Sequence, residues 1–210
     1  TLVAALGLYM LCADGEMGAE VYSGAGSEKQ AWEVFGPARL MAERTPELLK
    51  HFGIEVNASN VNILSSASKF EPLIGKPGDG ASPSCAIHDE YHEHPDASQF
   101  DTMLTGMGAR DQPLQLVITT AGDNTSGPCY DLQLTIQHIL DGITEDEEKF
   151  GLIYTLDAED DWTQPEALVK ANPNIDVSVS LEFLQSRQKE AIRNPREQQR
   201  FKVKHLCLWV

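Results

Sequence analysis

Two short apolar runs, each ending abruptly on polar residues, constrain the fold of this chain more than any other feature. Ser84-Cys85-Ala86-Ile87-His88 runs into the adjacent acids Asp89 and Glu90. Leu116-Val117-Ile118 runs into Thr119 and Thr120 before the small turn Ala121-Gly122. Runs this short and continuous suit strands buried on both faces, as in a parallel sheet, with the polar residues at their C-terminal tips. In an open α/β sheet, ligands lie beyond those C-terminal edges, so the two tips are expected side by side at a site.

The rest of the chain supplies the helices that such a sheet needs. Thr1 to Cys12 reads as a buried or amphipathic helix, and Glu20-Val21-Tyr22-Ser23 as a short strand running into Gly24-Ala25-Gly26. Ser27 then caps a helix whose apolar face carries Ala31, Val34, Phe35, Ala38 and Met41, and Thr45-Pro46 restarts a short one. Ile54–Val56 and Val61–Leu64 form a hairpin across Asn57-Ala58-Ser59-Asn60. Phe70 to Ser84 reads as loop. Further helices are expected over 96–109, 130–143, 166–171 and 181–193, and further strands over 113–120, 150–156 and 201–210. Strands alternating with helices argue for an α/β fold with a mostly parallel sheet covered on both faces. Asn172-Pro173 and the acidic run 157–161 mark the last fifty or so residues as a bridging segment.

The 210 residues suffice for one sizeable α/β domain or one domain with a short appendage. No apolar run approaches the roughly 20 residues of a membrane span, and Thr1 to Cys12 lacks the basic flank and small-residue cleavage site of a signal peptide. The chain opens at Thr1, without Met and inside a helical pattern, and so reads as a fragment. Sixteen Lys and Arg against 32 Asp and Glu give a formal net charge of -16. Such a chain does not bind a polyanion through its general field, and any nucleic-acid contact must be local or come from elsewhere in an assembly. Cys12, Cys85, Cys129 and Cys207 are far apart without a C-x-x-C pair, as expected of free thiols in a reducing cytoplasm.

The acidic tip carries the sharpest chemistry. Asp89 and Glu90 suit Mg²⁺ and water handling, the first holding the ion's water shell and the second orienting and deprotonating an attacking water. The same pair also fits a helix start near Tyr91, where acids complement the dipole. A third reading is a metal site, because His88, His92 and His94 cluster with Asp89, Glu90 and Glu93. The zinc-protease pattern, however, wants Glu directly after the first His, where Asp89 stands. Thr119 and Thr120 can bond a γ-phosphate or its water, or simply cap the next helix. Gly24-Ala25-Gly26 is too short for a phosphate loop and reads as a turn. Arg110, after Gly108-Ala109, fits a helix-end cation or a phosphate contact across a subunit joint. No complete G-x-x-x-x-G-K-[ST] occurs. Thr1-Leu2-Val3-Ala4-Ala5-Leu6 does read as the helical turns that follow such a motif, with Thr1 the Mg²⁺-ligating hydroxyl or the residue after it.

Assembled in order, these stretches resemble the ATPase region of tailed-bacteriophage terminase large subunits. The resemblance rests on Thr1 to Leu6, Gln30-Ala31 with Phe35 to Met41, and Ile87-His88-Asp89-Glu90-Tyr91-His92 as Walker B and catalytic acid. It continues through Gly108 to Leu114, Ile118-Thr119-Thr120-Ala121-Gly122 as a coupling motif, Ala171-Asn172-Pro173, and Phe201 to Val210. It implies a P-loop NTPase sheet of the additional-strand type whose phosphate-loop strand is missing from the fragment. The ATPase domain would span 1–156 and a linker 157–210, leading to a nuclease domain outside the chain. It also implies ATP and Mg²⁺, with Asp89 on the metal, Glu90 activating the water, and Thr119, Thr120 and Gly122 coupling hydrolysis to movement. Arg110, Lys69 and Lys76 are the candidate phosphate-sensing basic residues. The implied role is packaging of double-stranded DNA in the bacterial cytoplasm by a homo-oligomeric ring docked on the procapsid. Portal protein and terminase small subunit would be the partners. Without the Walker A lysine, the fragment alone is expected to be inactive. Another P-loop ATPase such as a helicase, a metal-dependent hydrolase built on His88–His94, and a decayed prophage remnant are the alternatives.

Overall fold

A computed structural model of the chain describes residues 1–73 and 80–210. They fall into two compact units, Thr1–Thr119 and Thr120–Val210. The first holds a six-stranded sheet of order β2-β3-β4-β1-β5-β6, built from β1 (Glu20–Gly24), β2 (Ile54–Val56), β3 (Val61–Ile63), β4 (Ser68–Leu73), β5 (Cys85–Asp89) and β6 (Leu114–Ile118). β4, β1, β5 and β6 run parallel, while the hairpin β2–β3 extends the sheet antiparallel from β4. β1 and β5 lie centrally and are buried along almost their whole length, which is why their sequences are continuously apolar or small.

Alternate residues of those strands face two different layers. Val21, Phe70, Cys85 and Ile87 pack with Leu8, Leu11, Val34 and Phe35 from α1 (Leu2–Cys12) and α2 (Glu28–Glu43). On the other face, Tyr22 and Ala86 pack with Met103 of α4 (Ser98–Gly106) and with Met107. α1 approaches the sheet closely because of Gly7, where a β-carbon would lie 2.7 Å from the Phe70 ring. That ring is pinned edge-on by Phe35, with centroids 5.4 Å apart. α3 (Pro46–Phe52), with Pro46 at its first turn and Gly53 left-handed at its end, leads into β2.

The second unit is helical among the described residues: α5 (Pro128–Leu140), α6 (Pro165–Ala171), α7 (Leu181–Arg193) and α8 (Pro195–Leu206). Leu156, Leu168, Leu184, Phe201 and Leu206 form its core. All four cysteines are free thiols.

Three expectations are corrected here. Residues 70–73, expected as loop, belong to the strand β4 that begins at Ser68. Pro72 disguises it, yet Ser68, Phe70 and Pro72 face inward in strict alternation and β4 pairs with β1 on one side. Residues 150–156 keep the period-two burial of a strand but join no ladder; Phe150 and Leu152 stay exposed, and the Thr155 hydroxyl donates instead to the carbonyl of Cys207 at 2.9 Å. Phe201 to Leu206 is the end of α8 and not a strand. Asn194 caps that helix at the Arg196 N–H, and a left-handed Cys207 ends it.

Candidate active site

The tips of β1, β5 and β6 share the C-terminal edge of the parallel sheet. Gly24 is in register with His88, and Asp89 with Ile118, so Glu90 and Thr119 follow at the same level on neighbouring strands. The loop after β1 closes against the turn after β5. Ser23 donates its hydroxyl to the Ala31 carbonyl at 3.0 Å, Ser27 caps α2 at Gln30, and the Gln30 amide donates to the Glu93 carboxylate.

Asp89 is half-buried, and its Oδ1 accepts the Glu90 N–H at 2.9 Å. Burial pushes its carboxyl upward and Glu33 adds to this; the Glu90 N–H and His94 oppose it. Thr1 stands at the N-cap of α1, and its hydroxyl does not cap the helix. Glu90 adopts the left-handed region, φ 49° and ψ 47°, a conformation that costs a non-glycine residue about 1–2 kcal/mol. A carboxylate held that way turns the chain sharply off β5 into the tight turn Tyr91–Glu93. Glu93 N–H donates to the Glu90 carbonyl at 2.8 Å, and His94 Nε2 donates to the Asp89 carbonyl at 3.1 Å.

The three histidines of this stretch take three separate tasks. His88 is fully buried and its two ring nitrogens meet different amides: Nδ1 lies 3.3 Å from Gln99 Oε1, and Nε2 lies 3.0 Å from Gln115 Nε2. An acceptor on one side and a donor on the other fix the neutral tautomer with its proton on Nδ1. Burial depresses the imidazole to about 4. Gln115 in turn donates to the Phe100 carbonyl at 3.0 Å. The Gln99 amide reaches His88 only because Gly24 has no side chain, since a β-carbon there would stand 2.3 Å from Oε1. His92 packs against Thr119, whose Oγ1 accepts the His92 backbone N–H at 3.0 Å and lies 3.0 Å from Nδ1. Among the described residues no group of three or more His, Cys, Asp or Glu side chains is placed to hold a metal ion, so the histidine cluster is not gathered into a zinc-type site.

The structure brings Asp89, Glu90 and Thr119 to one edge. Thr120 and Gly122 belong to the second unit, where the Thr120 hydroxyl donates to the Ala121 carbonyl at 3.2 Å. The basic candidates lie elsewhere. Arg110 is 10% exposed and sits by the N-terminal ends of the strands, bonded to the carbonyls of Ser82 (2.8 Å) and Gly18 (2.9 Å) and to Glu16 (3.1 Å). Lys69, in register with Glu20 at that same end, pairs with Glu71 at 2.8 Å and lies over the Tyr22 ring. Lys76 lies outside the described residues. Gln99, Gln115 and Gly24 escaped the sequence reading. A buried polar His in an apolar strand was their only signal, because a satisfied imidazole implies partners.

Family models for terminase large subunits match most of the chain. The ATPase-domain model matches residues 1–138 and the endonuclease-domain model residues 143–210. Over 132 residues the chain is 56% identical to Protein YmfN of Escherichia coli (strain K12), covering 63% of this chain and 29% of that protein. The chain thus spans less than a third of that relative's length. The large terminase of the HK97 bacteriophage superposes with a TM-score of 0.83 at 25% identity, covering 99% of this chain and 43% of that one. The ATPase domain of the Thermus phage P74-26 large terminase shares the fold, with a TM-score of 0.57 at 14% identity over 98% of this chain and 82% of that one.

Proposed function

The chain belongs to the terminase large-subunit family, and on that premise we propose that the β5 tip hydrolyses ATP to drive packaging of double-stranded DNA into a procapsid. The observation that carries the reading is the pair Asp89–Glu90 at the C-terminal edge, with Glu90 turned off the strand beside Thr119. A helix N-terminus supplies unsatisfied N–H groups suited to phosphate oxygens. Carboxylate and hydroxyl oxygens from Asp89 and Thr1 are the hard donors that Mg²⁺ takes, so the residues present fit that ion.

In this mechanism Asp89 and Thr1 would hold the Mg²⁺ of a bound Mg·ATP, which would supply charge neutralisation at the phosphate oxygens. Glu90 accepts the proton of the water attacking the γ-phosphorus in line, which yields ADP and phosphate. Thr119, Thr120 and Gly122 pass the change at the γ-phosphate into the next segment of chain. Arg110, Lys69 and Lys76 are not assigned that role in this reading, because the first two are occupied at the opposite ends of their strands. Other parts follow from the family: a ring of copies, a portal and a small subunit as partners, and work at the procapsid in the bacterial cytoplasm. With a net charge of -16, contact with DNA is left to a few basic side chains facing a ring pore and to the remainder of the full-length protein.

The experiment is DNA packaging in vitro by the full-length protein with purified procapsids. Wild type should protect DNA from added nuclease in an ATP-dependent way, and Asp89→Asn should not. Protection by Asp89→Asn equal to wild type would sink the assignment.

A further inference from the structure

The turn after β5 places one imidazole between the proposed catalytic carboxylate and the tip of the neighbouring strand. His92 is only 6% exposed in its side chain. Its Nδ1 lies 3.2 Å from Glu90 Oε2 and 3.0 Å from Thr119 Oγ1, while its backbone N–H donates to the same Thr119 oxygen at 3.0 Å. On the far side, Nε2 lies 3.7 Å from Glu93 Oε1, and Glu93 is held by Gln30, which Ser27 engages in turn. The ring is therefore held at Nδ1 and by its own main chain.

We infer that His92 is a positioning residue that couples the Glu90 carboxylate to Thr119, so that the rotamer of the base is set by the tip of β6. The inference rests on the reading of Glu90 as the base. Glu90 needs such support. Its left-handed backbone aims the side chain away from the sheet, and a Glu side chain has three rotatable bonds to fix before it can orient a water. Polar contact with a ring that is itself held in place restricts it at small entropic cost. Two atoms of His92 grip one hydroxyl oxygen of Thr119, so displacement of that hydroxyl must carry the ring, and with it the partner of Glu90. Strand β6 and the catalytic carboxylate are thereby linked through a single side chain.

The test uses the full-length protein, with steady-state ATP hydrolysis and nucleotide binding measured side by side for wild type, His92→Phe, His92→Asn, Thr119→Val, the double variant His92→Phe/Thr119→Val, and Glu90→Gln. His92→Phe keeps a ring of similar size but no polar atom, and should lower kcat about 10- to 100-fold with nucleotide Kd unchanged within about twofold. His92→Asn restores a polar atom near the position of Nδ1 and should recover most of the loss. Adding Thr119→Val to His92→Phe should cost little more, because the two act as a unit. Equal kcat in His92→Phe and wild type overturns the inference, as does equal damage from Phe and Asn, or loss of nucleotide binding together with turnover. Should His92→Phe not fold, Thr119→Val alone carries the same expectation, and a normal kcat there overturns the inference. Loss of turnover in Glu90→Gln with a normal His92→Phe removes only this coupling. Normal turnover in Glu90→Gln removes the base assignment itself.

Discussion

Replacing Gly24 by Ala probes the polar layer beneath the acidic tip with a single carbon. Gly24 ends β1 with an ordinary negative φ, so alanine meets no backbone strain there. The new β-carbon would stand 2.3 Å from Gln99 Oε1 and 2.8 Å from its Cδ, which forces the amide to swing away. His88 Nδ1–H then loses its acceptor inside the protein, and an unsatisfied buried donor costs about 1–3 kcal/mol. The residual crowding of a buried side chain adds to this, so a loss of about 2–3 kcal/mol is expected. Equilibrium urea denaturation of Gly24→Ala, Gln99→Ala and the double variant forms the assay. Once Gln99 is truncated, the β-carbon has room and His88 has already lost its partner. Gly24→Ala should then cost under about 0.5 kcal/mol in the Gln99→Ala background, a coupling of about 2 kcal/mol. Equal costs in the two backgrounds would refute the reasoning, because the effect would then owe nothing to the amide.

Acidification tests the same layer by a different route. His88 has its folded pKa lowered from 6.5 to about 4, so the stability held by its neutral form is complete above pH 6.5 and lost as pH falls toward 4. The loss amounts to about 3 kcal/mol at most. His94 is depressed in the same direction, whereas the raised Asp89 carboxyl opposes both by taking up its proton earlier in the folded state. Urea midpoints should fall from pH 7 to pH 4.5 and do so less in His88→Gln; identical pH profiles in the two would contradict this. Arg110→Met should destabilise by about 3 kcal/mol, since it strands Glu16 and the carbonyls of Ser82, Met17 and Gly18, while kcat of the folded full-length protein stays unchanged. A normal melting temperature with a lowered kcat would instead favour a phosphate-facing role. Gly7→Ala should cost a net 1–2 kcal/mol or so. The β-carbon meets the pinned Phe70 ring at 2.7 Å, and the gain in helix propensity offsets only part of that. A stabilised variant in thermal unfolding would show that α1 does not lie so close.

What the sequence disclosed, and what it hid, follows from how far apart the interacting residues are. β5 was legible as a buried parallel strand whose polar tip breaks an apolar run; β6 carries the same pattern although it is only half-buried, as the edge strand of the sheet. α7 was legible because its apolar residues keep helical spacing. β4 was not, since Pro72 and the glycine-rich stretch after it outweigh an alternation only six residues long. The run 150–156 alternates like a strand, but alternation alone does not supply a neighbour to bond with. At the site, Asp89, Glu90 and Thr119 could be named from their positions at strand ends. The amides that serve His88 lie 11 and 27 residues away, and nothing local to Gln99 or Gln115 announces a buried partner. The left-handed Glu90 was equally invisible, because its conformation is imposed by the turn and by the bonds of Glu93 and His94 around it.

The central claim is that the carboxylate of Glu90 is the base of an ATP-hydrolysing site. It is tested most directly by Mg²⁺-dependent steady-state hydrolysis in the full-length protein, wild type beside Glu90→Gln, with nucleotide affinity measured on the same preparations. The account predicts turnover that depends on Mg²⁺ in wild type and falls by at least about 100-fold in Glu90→Gln, with ATP bound equally well by both. Turnover by Glu90→Gln at the wild-type rate would contradict it.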